Sequence, residues 1–121
     1  MLDHIGIGVR DLAASKAFYA AALAPIGYKI VTEFPEYNVV GMGASESTAD
    51  FWYSQESAPA KVHVAFKATD HAAVDAFHAA AVAADGKDNG KPGIREQYSP
   101  TYYAAFVYDP DGNNIEIVCA N

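Results

Sequence analysis

Apolar and polar positions change their period along the chain, and each change marks an element. Over residues 5–9 (IGIGV) the period is two. Ile5, Ile7 and Val9 fall on one face of a strand, and Leu2, His4, Gly6 and Gly8 on the other. After Asp11 the period lengthens: Leu12, Phe18, Tyr19 and Leu23 make a helical stripe, Asp11 is placed to cap it, and Pro25 and Gly27 end it. Strand-like segments follow at 28–34, 38–44 and 49–54. The order then begins again. VHVAF (62–66) alternates as a strand, Thr69 or Asp70 caps a second helix with the stripe Val74, Phe77 and Val82, and Gly86 closes it. A weak strand near 93–98 and clearer ones at 102–109 and 113–119 complete the chain. The stretch 84–100, rich in Gly, Pro and charge, reads as a loop and a candidate lid.

The second half repeats the first. DHIGIGVRDLAASKAFYAAALA (3–24) aligns with VHVAFKATDHAAVDAFHAAAVA (62–83), so that His4 falls on His63 and Phe18 on Phe77, both 59 positions apart. Each half reads β-α-β-β-β. The fold class is therefore α+β, one domain over residues 1–121 with module 1 at about 1–57 and module 2 at about 58–121.

DPDGNNIEIV (109–118) reads as a type I turn, with Asp109, Pro110 and Gly112 at its first, second and fourth positions, running into a strand. Glu116 stands there between Ile115 and Ile117, where a buried carboxylate needs a partner. Strand parity puts it opposite the Ile face, and puts His4 and His63 on faces of small residues, away from the helices. Two imidazoles and a carboxylate can hold a divalent metal, which would supply that partner. At a shift of 66 between ADFWY (49–53) and the closing strand, Asp50 falls on Glu116 and becomes a fourth candidate ligand; an Asp in a turn entering a strand is the plainer reading.

Composition narrows the function. The chain has 121 residues, 51% hydrophobic and 19% charged, as expected of one globular domain. A net charge of −7 without basic patches argues against nucleic acid. No apolar run is long enough to cross a membrane, and MLDHIGIGV lacks the basic start of a signal peptide. A lone cysteine, Cys119, rules out an internal disulfide and fits a cytoplasmic protein. Cys119 lies on the Ile face and reads as core, and His71 and His78 on the second helix read as surface or packing residues.

The paired β-α-β-β-β layout, DHIGIGVRDLAASKAFY, the mid-chain VHVAF and above all the closing FVYDPDGNNIEIV resemble the vicinal oxygen chelate superfamily. That group includes glyoxalase I, bleomycin-resistance proteins, fosfomycin-resistance enzymes and extradiol dioxygenases. The resemblance implies two modules forming a curved, mixed-sheet cup with helices outside, and metal ligands on the first and last strands of each module. It carries ligand roles to His4, His63 and Glu116, and less directly to Asp50, because ADFWYS departs from the family's usual apolar-Glu-apolar pattern; Phe51 is the other candidate for that position, which would leave three protein ligands. It further implies a homodimer, which would also cover exposed sheet edges.

A set of this kind leaves coordination positions open to two adjacent substrate oxygens, with Zn, Ni, Fe or Mn all compatible. Glu116, Asp50 or a metal-bound hydroxide is the candidate base. FWYS (51–54) and YSPTYY (98–103) supply aromatic residues for a cup wall, Trp52, Tyr102 and Tyr103 foremost, and Arg95 is placed to meet an anionic group. The expected function is a metal-dependent lyase, isomerase or transferase acting on a small oxygen-rich substrate. The scarcity of clustered Lys and Arg argues against glutathione. The alternative is a metal-independent protein that sequesters an aromatic or cationic compound, as bleomycin-resistance proteins do.

Overall fold

A computed structural model describes residues 1–121. Module 1 runs β1 (Ile5–Val9), α1 (Leu12–Ala22), β2 (Lys29–Phe34), β3 (Val39–Gly43) and β4 (Phe51–Gln55). Module 2 runs β5 (His63–Lys67), α2 (His71–Ala83), β6 (Lys87–Ile94), β7 (Tyr103–Tyr108) and β8 (Asn114–Cys119). Each module builds its own four-stranded sheet, in the orders β1-β4-β3-β2 and β5-β8-β7-β6. The first and last strands of each module are parallel and the other pairs antiparallel. The repeat seen in the sequence is thus a repeat of topology.

The two helices begin as their caps dictate. Asp11 accepts a hydrogen bond from the Ala14 amide at 3.1 Å, and Asp70, rather than Thr69, accepts one from Ala73 at 2.8 Å. Their buried faces are Phe18, Tyr19 and Ala22 on α1, and Val74, Phe77 and Ala81 on α2. Val82, assigned to the second stripe, is 42% exposed; the small Ala81 is buried instead and lets the helices approach. Gly86, just past the end of α2, packs against Phe18 of α1. A methyl group there would lie 2.7 Å from the Phe18 ring and 2.6 Å from Val107, so the position must be bare. One cluster of 21 buried apolar residues joins both modules.

The stretch 84–100 is not all loop. Residues 87–94 form β6, antiparallel to β7, with register shifts between Asp88, Gly90 and Gly93. The strand tolerates Gly90, Pro92 and Gly93 because it is an edge strand, where bulges and a missing amide donor do little damage.

The DPDGN turn ties the modules together. Asp109, 4% exposed, accepts hydrogen bonds from the Asp111 and Asn113 amides, from Asn113 Nδ2, and from the Tyr19 hydroxyl of α1. Asp111 accepts one from the Arg10 amide at the end of β1. Asn113 Oδ1 accepts one from the Val62 amide at 2.9 Å, which aligns β5 with β8.

Replacing Asp109 with Ala removes an acceptor shared by four donors and should lower unfolding free energy by about 3 kcal/mol, read by urea denaturation. Tyr19→Phe, which leaves the turn's own donors in place, should cost about 1 kcal/mol. An Asp109→Ala variant as stable as the parent would show that the turn does not clasp the modules.

Candidate functional site

The site grows from the register of module 2. On β8, Ile115, Ile117 and Cys119 point to the helices and are buried. Glu116 therefore points to the opposite, open face of the sheet, yet it is only 2% exposed. Two side chains cover it. His63 Nε2 lies 2.9 Å from Glu116 Oε1, and the Tyr102 hydroxyl donates to Glu116 Oε2 at 2.5 Å. Glu116 pairs with Ala65 in the parallel ladder, two positions along from His63, so its carboxylate reaches back to the imidazole. Each carboxylate oxygen thus has one partner, which is how the strand accommodates a charged group between two isoleucines.

Around this pair the open face is aromatic. Phe106 stands opposite Glu116 on β7, with its ring 6.4 Å from that of His63. Tyr98 packs edge-on against Tyr102 at 5.1 Å. The guanidinium of Arg95 lies over Phe106, 5.3 Å from the ring centroid. Phe106 escaped the sequence reading; its parity with Glu116 across the β7–β8 ladder is the signal that would have found it. Tyr103 belongs elsewhere. Its ring stacks on His71 of α2 at 3.8 Å and its hydroxyl donates to Asp75, so it faces the helix and not the His63–Glu116 pair. Adjacent strand residues point to opposite faces, and of the two tyrosines only Tyr102 has the right parity.

Module 1 presents a different surface. Trp52 pairs with Gly6, two positions after His4, as Glu116 pairs with Ala65, two positions after His63. Trp52, and neither Asp50 nor Phe51, is therefore the counterpart of Glu116. The Asp50 alignment was slipped by two residues; Phe51 points to the core at 1% exposure. Trp52 stacks on Phe34, with centroids 6.2 Å apart and planes 10° from parallel. Gly41 makes room for the indole, since a methyl group there would meet it at 2.8 Å.

His4 and Asp50 line a cleft of about 410 Å³ between the starts of β1 and β5, together with His63 and Tyr28. Asp50 Oδ2 accepts a hydrogen bond from the Tyr28 hydroxyl at 3.0 Å, while its Oδ1 is buried without a partner. Burial and this contact push the Tyr28 phenol up to about 12. His4 is exposed and its Nδ1 is engaged by Asp3 at 2.7 Å. The structure therefore brings His63 and Glu116 into contact and sets His4 in the same cleft as His63, but no three of the His, Cys, Asp and Glu side chains converge tightly enough to hold a metal. The donor types are ones that suit a divalent cation; His63 and Glu116 are in contact, and His4 sits on the exposed segment before β1.

Comparison with known proteins agrees with this architecture. The family model of the Glyoxalase/Bleomycin resistance protein/Dioxygenase superfamily matches residues 1–117. A glyoxalase/bleomycin resistance protein from Albidiferax ferrireducens is 30% identical, with 100% of this chain and 99% of that chain covered and a TM-score of 0.82. Fold-level likeness extends to a glyoxalase I variant from Zea mays, at 24% identity and a TM-score of 0.72, covering 97% of this chain and 46% of that one. It extends likewise to a glyoxalase-related enzyme from Fulvimarina pelagi, at 20% identity and a TM-score of 0.73, covering 98% and 87%. No curated protein matches the chain.

The hydrogen bond to Glu116, with a smaller contribution from burial, pushes the Tyr102 phenol up to about 12. In Glu116→Gln the carboxylate charge is gone, and the phenol should titrate closer to its ordinary value near 10. Carbon-13 NMR of the tyrosine ζ carbons reads this directly; an unchanged Tyr102 titration would mean that the contact is absent in solution. By fold, by repeat and by the match along nearly its whole length, the chain belongs to the glyoxalase/bleomycin resistance protein/dioxygenase superfamily.

Proposed function

We propose that the protein is a divalent-metal-dependent enzyme of the glyoxalase-like type, a lyase, isomerase or transferase acting on a small molecule with two adjacent oxygens. The observation that carries this reading is the contact between His63 and Glu116 on the open face of module 2. A histidine and a carboxylate at that spacing are the beginnings of a metal site, and His4, lining the same cleft as His63, is the third donor. A bound cation would supply Lewis-acid stabilisation of negative charge developing on a substrate oxygen.

The chain's own residues do the rest. Glu116 is the group placed to take a proton from the substrate, because its Oε1 faces the imidazole side of the open surface. Tyr102 holds the other carboxylate oxygen and so fixes which oxygen is presented. Asp50, with one buried oxygen unpaired, contributes negative potential to the cleft beside His4. Phe106, beside the His63 ring, gives that side of the open face an apolar wall. The functional unit is a homodimer, in which a second copy covers the open sheet faces and their edges, in the cytoplasm.

A second reading has its own observation. Trp52 is the module 1 counterpart of Glu116 and stacks on Phe34. An aromatic shelf of this kind fits a metal-independent protein that binds a flat or cationic compound.

Metal analysis of untagged protein separates the two. The enzyme reading expects about one tightly bound divalent ion per chain, lost in His4→Ala, His63→Ala and Glu116→Ala, and bound about tenfold more weakly in Tyr102→Phe. Equal metal content in the parent and all variants would discard it. Saturable quenching of Trp52 fluorescence by an aromatic cation in metal-free protein would then favour sequestration.

A further inference from the structure

Arg95 is held in one position by the backbone around it. Its Nη1 donates to the Gly93 carbonyl at 2.8 Å and its Nη2 to the Lys91 carbonyl at 2.8 Å. The side chain lies back across the sheet, with its guanidinium over Phe106. The strand is shaped to allow this. A methyl group at Gly90 would stand 3.0 Å from both Arg95 Nη2 and Phe106 Cδ1, so the bare backbone there leaves the space the guanidinium fills.

The charge is fixed but not paired. No carboxylate lies within ion-pair distance of Arg95; Lys61, Lys67, Lys87 and Lys91 are also unpaired, but of the two arginines Arg10 has Asp111 and Arg95 has none. Carbonyl oxygens orient a guanidinium without neutralising it, and two such bonds leave about three of its five N–H groups free. A partly buried, unpaired cation beside an aromatic face is a receptor for an anion. Its location ties it to the site: Phe106, which it covers, stands opposite Glu116 and beside His63.

We propose that Arg95 binds the carboxylate of the substrate, so that the protein acts on a small carboxylic acid. Its oxygen-bearing end reaches His63 and Glu116 while its carboxylate rests on the guanidinium at the edge of Phe106. This rests on the metal-enzyme reading above and adds to it the charge and polarity of the substrate.

The test uses the metal-free 121-residue chain and two probes of equal shape, benzoate and the neutral benzamide, followed by NMR titration of the Arg95 Nε–Hε and His63 ring signals. The expected result is saturable binding of benzoate that moves both signals, binding of benzamide at least about tenfold weaker, and a similar tenfold loss of benzoate affinity in Arg95→Gln. Arg95→Lys, which keeps the charge but not the planar fork, should fall between the two. Thermal unfolding within a few degrees of the parent shows that these variants fold. Equal affinity for the two probes, unchanged benzoate binding in Arg95→Gln, or no benzoate binding at all would overturn the proposal. Metal content separates this from the parent reading: Arg95→Gln should bind metal as the parent protein does, whereas loss of the metal site alone leaves benzoate binding on Arg95 intact.

Discussion

The buried carboxylate of Asp109 is the constraint on which the rest of the molecule depends. Taking an ionised group out of water costs several kcal/mol unless donors surround it. Here the DPDGN turn supplies two amides and a side-chain amide from its own residues, and Tyr19 supplies a hydroxyl from the other module. Satisfying one charge therefore folds the turn and docks module 2 onto α1 in the same act. The same turn then orients Asn113 to accept the Val62 amide, and the Asn114 amide donates to Val62 O. Those two bonds set the β5–β8 register, and that register is what carries His63 to Glu116.

Three acidic side chains show three degrees of satisfaction. Asp109 has a full complement of donors and is structural. Glu116 has one partner for each oxygen, but both are side chains, and the His63 ring is about half exposed (53%). Asp50 has Tyr28 on one oxygen and nothing on the other. Chemistry belongs with the incompletely satisfied groups, because a carboxylate whose bonds are all supplied by a rigid turn has nothing left to offer a ligand.

Much of this was legible in the chain itself. Alternation in IGIGV and VHVAF and the helical stripes established the β-α-β-β-β repeat, since burial on one face leaves a periodic trace. The faces of His63 and Glu116 followed from the same parity. What parity cannot do is detect a slip of two residues, which keeps every side chain on its face. Asp50 was matched to Glu116 for that reason, and only the hydrogen-bonded ladder identifies Trp52 as the counterpart. β6 was obscured because Gly90, Pro92 and Gly93 are read as loop residues, and nothing local says that a segment lies on an edge where they are tolerated. Tyr102 and Tyr103 are neighbours of the same type with opposite orientations, so the sequence could name the pair before the strand boundary divided it.

Trp52 stands in module 1 at the position that Glu116 holds in module 2, so the duplication is unequal. Two identical modules would present the same groups twice. Here one sheet carries a hydrogen-bonded carboxylate and the other an indole stacked on Phe34. The repeat thus keeps a shared frame while dividing the charge from the indole between its halves.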